Sequence, residues 1–382
     1  MTGSPPRAGD ERQPAPVVPD FAGRCLTRVV PGILGHLGGR AAAVPEWMPE
    51  PVLASRQVVL LVVDGLGAEQ LAARRELAPA LCSGVGTVLT SVAPSTTAAA
   101  LTSLTTGLPP AAHGVVGYRV AVDGEVLNVL AWRIGGRDAR RSLPPRRFQD
   151  SPVFGGVRVP VVSRSDYAAT GFTAAHLGDA ELHGWHTVAG LPVEVGRLLG
   201  AGCPFVYAYY DGIDRAAHAF GLGEHYQAEL RGVDRLVEDV IDVLPPGASL
   251  AVTADHGQVE VGASLQVFDG AVMDGVSLLS GEGRFRWLHA KPGAAADVLA
   301  AAGEAFGHLA WVRSADDVIG DGWLGGEPSP EIRRRLGDVA LVPFEPTAFL
   351  DPADTGEQRL VCRHGSLTPE EMFVPFVAWG GP

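Results

Sequence analysis

The chain has 382 residues, of which 46% are hydrophobic and 19% charged, and its formal net charge is −13. The apolar share excludes a disordered protein, and the acidic balance argues against a stable nucleic-acid partner, because phosphate neutralisation needs a basic surface. No apolar run approaches the roughly 20 residues that span a bilayer. The polar, Pro-rich start lacks the apolar core of a signal peptide. We therefore expect a cytoplasmic protein with no membrane partner and a disordered leader over residues 1–22.

Strand-like and helix-like segments alternate along the rest of the chain. The run Gln57 to Val63 has no polar alternation, which is typical of a central parallel strand buried on both faces. The pattern predicts strands over 57–63, 87–92, 204–210, 249–253 and 374–379, and helices over 68–76, 97–106, 224–243 and 294–306. This alternation predicts an α/β fold with three layers, in which a mostly parallel central sheet is covered by helices.

Two stretches are less regular, 119–157 and 258–363. We interpret them as inserted lid or substrate-wall segments within one catalytic domain over residues 23–382, because loops beyond the carboxyl ends of parallel strands commonly bind ligands. The first stretch contains an Arg-rich run over 133–147, in loop-like surroundings. That run is either a solvated loop or a source of guanidinium groups for a second phosphate.

Acidic and imidazole side chains recur at the ends of the predicted strands. They are Asp64 after the first strand, Asp214 and His218 after the third, Asp255 and His256 after the fourth, and His364 before the last. Taken singly, each has a structural explanation, such as a helix N-cap or a surface pair. Their recurrence at one predicted sheet edge instead suits a divalent metal such as Zn²⁺.

A cluster of hydroxyl side chains opens the predicted helix over 97–106. Ser95, Thr96 and Thr97 could serve as N-caps. Alternatively, one of them is a nucleophile at a helix N-terminus, where free N–H groups bind an anion such as phosphate. The sequence has no evident Ser-His-Asp grouping or G-x-S-x-G motif, so activation of the hydroxyl by a metal is the natural route.

In this order the motifs resemble those of the alkaline phosphatase superfamily, in particular its type I phosphodiesterase/nucleotide pyrophosphatase family. The resemblance covers roughly residues 55–378. The matching segments are Asp64, Pro94 to Thr97, Thr106 to Gly114, Asp214 to His218, Asp255 to Gly257, and His364 with Gly365. The resemblance implies an alkaline phosphatase-like fold and two divalent metal ions, Zn²⁺ or alternatively Mn²⁺.

Carried over by position, the resemblance implies a ligand set for each ion. One ion would be held by Asp64, Thr97, Asp255 and His256, and the other by Asp214, His218 and His364. Thr97 would be the nucleophile, with Thr96 and Ser95 as competing hydroxyls. In-line attack on phosphorus would give a phospho-threonine intermediate, with two ions ~4 Å apart stabilising the displacement. The implied substrate is a small phosphorylated molecule, possibly a nucleotide, cleaved at a phosphodiester or pyrophosphate bond.

The chain departs from the family pattern on the substrate side. Tyr118 stands where nucleotide pyrophosphatases often have an Asn, and Thr97 is followed by three alanines instead of the T-F-P-N run. Tyr118 is therefore a candidate substrate contact. A phosphomonoesterase, a phosphonate hydrolase or a phosphosugar mutase stays open, whereas a sulfatase lacks its C/S-x-P-x-R motif. A Rossmann-type nucleotide-binding module without catalysis is the alternative of another class, although G-x-G-x-x-G is absent.

Overall fold

The computed structural model describes residues 13–38, 43–354 and 356–381. Its longer strands are, in chain order, β1 (Gln57–Val63), β2 (Val85–Thr90), β3 (Pro160–Arg164), β4 (Glu181–Trp185), β5 (Phe205–Tyr210), β6 (Ala248–Thr253), β7 (Val276–Glu282), β8 (Phe285–Ala290), β9 (Ala310–Ser314), β10 (Val339–Pro343) and β11 (Phe373–Gly380). Its longer helices are α1 (Val29–His36), α2 (Thr97–Thr106), α3 (Gly171–Leu177), α4 (Gly190–Gly200), α5 (Gly212–Phe220), α6 (Glu224–Ile241), α7 (Ala295–Phe306) and α8 (Ala315–Gly320). Shorter helices span Glu50–Leu53, Ala68–Ala72, Pro79–Cys82, Pro110–His113, Pro145–Phe148, Gly270–Met273, Pro330–Arg333 and Pro369–Met372.

A seven-stranded sheet forms the centre of the molecule, in the order β2-β11-β6-β1-β5-β3-β4. The pairs from β6 to β4 are parallel. Strand β11 is antiparallel to both β6 and β2, so it alone in this sheet runs in the opposite direction. Residues 58–63 of β1 are fully buried, which requires cover on both faces of the sheet. The prediction of an α/β fold with a mostly parallel central sheet is confirmed.

Two further sheets come from the stretches that the sequence marks as irregular. Strands β7, β8, β10 and β9 form an antiparallel sheet in that order, against which α7 packs. A smaller four-stranded sheet consists of Arg119–Val122, Glu125–Asn128, Arg133–Ile134 and Arg137–Asp138. The prediction that the Arg-rich run is a loop is therefore partly wrong. Gly135 and Gly136 both have positive φ and make a two-residue turn, so the flanking arginines form a hairpin.

Two other predicted elements have different boundaries in the structure, and two strands of the central sheet are absent from the prediction. The helix predicted over 68–76 ends at Ala72, and the strand predicted over 87–92 is β2. Strands β3 and β4 were not predicted. β4 reads Glu-Leu-His-Gly-Trp, and as an edge strand it needs no continuous apolar run.

The N-terminal leader predicted over 1–22 falls partly on residues 1–12, which lie outside the described residues. Residues 13–22 contact the body of the protein and do not behave as a free leader. The Val17 N–H donates to the carbonyl oxygen of Leu367 (2.9 Å), and the Trp311 indole donates to that of Pro14 (2.8 Å). The domain limits at 22 and 23 stay a prediction. In the part of the chain that the structure describes, no helix combines the length and apolarity that crossing a bilayer requires.

Candidate metal centre and active site

The sheet topology brings the four motif-bearing segments together. Strands β6, β1 and β5 are parallel neighbours, so the residues after their carboxyl ends meet at one edge of the sheet. Strand β11 runs the other way, and the segment before it therefore reaches the same edge. This is why His364, which precedes a strand, lies beside residues that follow strands.

The predicted ligands form two overlapping groups of closely spaced atoms. Ligand atoms of Asp214, His218 and His364 all lie within 4.8 Å of one another, as do those of Asp64, Asp214 and His256. Asp214 thus belongs to both groups, whereas the resemblance places it with His218 and His364 alone. Asp255 lies beside the second group, with Oδ2 3.5 Å from Nε2 of His256. The assignment of each ligand to a particular ion stays a prediction.

Three backbone carbonyls orient the histidines. Nδ1 of His218 contacts the carbonyl oxygen of Cys362 (2.7 Å), Nδ1 of His256 that of Gly257 (2.9 Å), and Nδ1 of His364 that of Ser95 (3.0 Å). Because a carbonyl oxygen only accepts, each Nδ1 carries the proton when the ring is neutral, and each Nε2 presents its lone pair. All three Nε2 atoms lie within 3.7 Å of an Asp64 or Asp214 oxygen. This arrangement is common for metal-binding histidines.

The electrostatics of the cluster favour a bound cation. Burial and the nearby Asp255 and Asp214 carboxylates raise the pKa of Asp64. Burial, with the His256 and His218 rings beside it, lowers the pKa of His364 and keeps it neutral. Among the described residues, Asp64 Oδ1 and Asp255 Oδ2 are buried with no hydrogen-bond partner. Buried carboxylate oxygens without donors are costly unless a cation compensates them, so these residues fit divalent metal ions.

The hydroxyl cluster divides into one reactive candidate and two others. Thr97 is the first residue of α2, and its Oγ1 lies 3.1 Å from Nε2 of His256. Ser95 is committed elsewhere: its hydroxyl donates to the Ser366 carbonyl oxygen (2.7 Å) and accepts from the Gly365 N–H (3.2 Å). Thr96 is the N-cap of α2, but its side chain makes no capping hydrogen bond. Of these three hydroxyls, that of Thr97 is the one hydrogen-bonded to a predicted metal ligand.

Two cavities meet at Thr97 and Asp214. One, of about 270 Å³, is lined by polar side chains that include Tyr118, His218 and His364. The other, of about 240 Å³, extends along α2 and β5. Tyr118 is held by Asn128, whose side-chain amide donates to the Tyr118 hydroxyl oxygen (2.7 Å). A larger cleft of about 730 Å³ is lined by none of the predicted site residues, so its size does not make it a candidate active site.

Three neighbours of the cluster were missed by the sequence reasoning. The Tyr209 hydroxyl donates to Asp64 Oδ2, the Gln258 amide donates to Asp214 Oδ1 (2.6 Å), and the Gly65 N–H donates to Asp255 Oδ1 (3.1 Å). A weak signal existed for each, because Gly65 and Gln258 directly follow two of the motifs, and Tyr209 is the next-to-last residue of β5, which ends at the same edge.

Comparisons with known proteins agree with the fold and the motifs. A family model described as type I phosphodiesterase/nucleotide pyrophosphatase matches residues 58–367. A comparison with curated protein sequences finds no match. Murine ectonucleotide pyrophosphatase/phosphodiesterase 5 has a similar structure, with a TM-score of 0.67 and 16% identity over 85% of this chain and 88% of that one. An inactive threonine-to-alanine variant of that enzyme in complex with AMP matches with a TM-score of 0.64 and 15% identity, at the same coverage.

A second enzyme type shares the fold. Phosphonoacetate hydrolase from Sinorhizobium meliloti 1021, in complex with phosphonoformate, matches with a TM-score of 0.62 and 19% identity, over 85% of this chain and 90% of that one. Since the family model covers most of the chain, the protein belongs to the type I phosphodiesterase/nucleotide pyrophosphatase family of the alkaline phosphatase superfamily and is a metal-dependent hydrolase of phosphoric esters.

Proposed function

We propose that the protein hydrolyses a phosphodiester or pyrophosphate bond of a small molecule, with Thr97 as the nucleophile. The observation that carries this proposal is the contact between Thr97 Oγ1 and His256, which belongs to a cluster of three histidines and two aspartates whose ligand atoms converge. The inactivity of the threonine-to-alanine variant of the murine relative supports a threonine in this role.

The chain's own residues would position the reaction. Asp64, Asp255 and His256 would hold one divalent ion, and Asp214, His218 and His364 the other. Bound ions would lower the pKa of the Thr97 hydroxyl and stabilise charge on the phosphoryl and leaving oxygens. The start of α2 offers backbone N–H groups to the non-bridging oxygens. Zn²⁺ suits this mixture of imidazole and carboxylate ligands, and Mn²⁺ is the alternative.

The covalent step balances without a further reactant. A bond forms between Thr97 Oγ1 and phosphorus as the bond to the leaving oxygen breaks, and that oxygen departs with the electron pair. The hydroxyl proton passes to water. A water molecule then attacks the phospho-threonine, restores the hydroxyl and releases the second product.

The test combines metal analysis with the Thr97→Ala variant. We expect about two bound ions per chain in both proteins, and a fall in kcat of at least about 10³-fold in the variant with bis-p-nitrophenyl phosphate as substrate. Unchanged turnover in Thr97→Ala would exclude Thr97 as the nucleophile. Thr96→Ala is the matched control, since it removes the neighbouring hydroxyl, which makes no capping hydrogen bond and is not hydrogen-bonded to His256.

The class of substrate is tested on the same protein. A comparison of bis-p-nitrophenyl phosphate with p-nitrophenyl phosphate should favour the diester. Much faster cleavage of the monoester would instead identify a phosphomonoesterase, and cleavage of phosphonoacetate would identify a phosphonate hydrolase. A cytoplasmic location stays a prediction from the sequence.

A further inference from the structure

The cavity of about 240 Å³ beside Thr97 has mostly apolar walls. We call it the Phe172 slot. Thr97 and Asp64 lie at its reactive end, and its sides include Leu101, Val161 and Phe172. The exposed surface of these walls is mostly carbon. The phosphoryl group would sit at the reactive end, so the slot receives an organic group attached to phosphorus.

Several polar side chains of the Phe172 slot already have hydrogen-bond partners within the protein. The Thr170 hydroxyl pairs with that of Thr173 (2.8 Å), and the Tyr167 hydroxyl donates to Asp211 (2.5 Å). His176 contacts the Phe172 carbonyl oxygen through Nδ1 (2.7 Å), and burial lowers its pKa to about 4. These groups therefore offer little to a ligand.

Away from the predicted metal ligands, one buried polar group of a slot residue has no partner. Tyr207 is only 1% exposed, and its buried hydroxyl has no hydrogen-bond partner among the described residues. Tyr207 lies two residues before Tyr209 on β5, on the same face of the strand and about 6–7 Å further from the sheet edge. Tyr207 lines the slot, and a buried polar group without a partner beside a cavity suggests that a ligand supplies one.

This lining disfavours a nucleobase. The edges of a base carry several donors and acceptors, and each one buried without a partner weakens binding. An alkyl or aryl group instead gains from every methylene transferred out of water. A single hydroxyl, ether or carbonyl oxygen at its end would satisfy Tyr207.

We propose that the Phe172 slot selects substrates in which the group retained on phosphorus is uncharged and largely apolar, with one terminal oxygen that hydrogen-bonds to Tyr207. This inference rests on the proposed function, because it assigns the reactive end of the slot to the phosphoryl group. The leaving group then occupies the cavity beside Tyr118 and His218. The preferred substrate is an alkyl or aryl phosphodiester, not a nucleotide.

The test measures kcat/KM of the metal-loaded full chain on a series of p-nitrophenyl phosphodiesters. The retained groups are methyl, hexyl, ω-hydroxyalkyl chains of two to six carbons, and thymidine joined through its 5′ oxygen. We expect kcat/KM for the hexyl ester to be about tenfold or more above that for the methyl ester. It should exceed kcat/KM for the thymidine ester by a similar factor. One ω-hydroxyalkyl ester of matching length should exceed the alkyl ester of equal length about threefold or more.

Variants distinguish selectivity that depends on the slot from a general effect of substitution on activity. Tyr207→Phe should abolish the advantage of the ω-hydroxyl group and leave the hexyl-to-methyl ratio intact. Tyr226→Phe is the matched control, because the Tyr226 hydroxyl on α6 is also buried without a partner among the described residues, yet lies outside the slot. Thr173→Trp should fill the slot and reduce the hexyl-to-methyl ratio towards one. Val193→Trp, at a position that is 65% exposed on α4, controls for a bulky substitution.

A binding measurement makes the result independent of turnover. Calorimetry on the metal-loaded protein should give hexylphosphonate an affinity about tenfold or more above that of methylphosphonate, and Thr173→Trp should remove the difference. If the phosphonates behave in this way but no diester is hydrolysed, the proposed function fails and the slot stands. If diesters are hydrolysed equally, or the thymidine ester fastest, the slot inference is overturned and the proposed function stands.

Discussion

Thr97 and His256 are 159 residues apart in the chain, yet the hydroxyl of the first lies 3.1 Å from Nε2 of the second. Because His256 Nδ1 contacts the Gly257 carbonyl oxygen, Nε2 is the acceptor when the ring is neutral, and the threonine hydroxyl donates to it. The contact joins the start of α2 to the end of β6. It places the candidate nucleophile within the same cluster as the candidate metal ligands.

The hydroxyl of Ser95 should contribute to stability, and that of Thr96 should not. Ser95 is fully buried and bridges the Gly365 N–H and the Ser366 carbonyl oxygen. Ser95→Ala leaves both groups without a partner, so we expect the free energy of unfolding to fall by about 1–3 kcal/mol. Thr96→Val removes a hydroxyl that makes no capping bond but keeps the buried volume of the side chain, so it should change the free energy of unfolding by less than about 0.5 kcal/mol. Urea denaturation of both variants checks this, and equal losses would contradict it.

Gly65 should be required for the geometry of the metal centre. Its φ is +74°, and a Cβ there would lie 2.6 Å from the Gln258 amide nitrogen and 3.1 Å from the Cα of Asp214. Gly65→Ala should therefore displace Asp214 and lower the bound metal, measured by plasma mass spectrometry, to about half or less. Gly124 has a φ of +81° and open space around it. Gly124→Ala carries a similar backbone strain of about 1–2 kcal/mol and should keep its metal, so equal metal loss in both variants would refute this role.

Metal removal should destabilise the fold. Chelation leaves the carboxylates of Asp64, Asp214 and Asp255 close together, where burial and mutual repulsion raise the pKa of Asp64 and Asp255. A ligand at about 1,000 times its Kd adds about 4 kcal/mol, so Zn²⁺ should raise the Tm of the chelated protein by roughly 5–10 °C. Scanning calorimetry with and without Zn²⁺ measures the shift. Asp214→Asn should lose most of it, and an unchanged wild-type Tm would argue against structural metal sites.

His113 should make stability depend on pH, away from the metal centre. Its Nδ1 accepts from the Val115 N–H (3.1 Å) and its Nε2 contacts Ser103 Oγ (2.8 Å), and burial lowers its pKa to about 3. The unfolded chain, with a pKa near 6.5, takes up the proton first as pH falls. The stabilising contribution is therefore complete above about pH 6.5 and is lost progressively down to about pH 3.

The experiment compares wild type with His113→Gln, both metal-free, by urea denaturation at pH 7, 6 and 5. The free energy of unfolding of the wild type should fall more steeply, with an added slope approaching about 1.4 kcal/mol per pH unit below pH 6. Parallel pH profiles of the two proteins would show that His113 titrates normally in the folded state.

The central sheet was predictable because its strands carry a strong local signal. β1 is an unbroken apolar run, and α2 begins and ends at the residues that the sequence indicates, with Gly107 in the left-handed conformation after its last residue. Strands β3 and β4 escaped prediction because they are short and mixed in composition. Their place in the sheet depends on non-local contacts, because β3 pairs with β5 and β4 pairs with β3.

The sequence by itself determined which residue types end the strands, where α2 starts and the order of the family motifs. Each of these is local, since it depends on composition and spacing within one segment. Only the tertiary structure decided that Asp214 belongs to both candidate ligand groups, that three carbonyls fix the histidine tautomers, and that Tyr207 lines a mostly apolar cavity beside Thr97. Those relationships join atoms from distant segments, and strand order and direction bring such segments together in ways that no single stretch of sequence encodes.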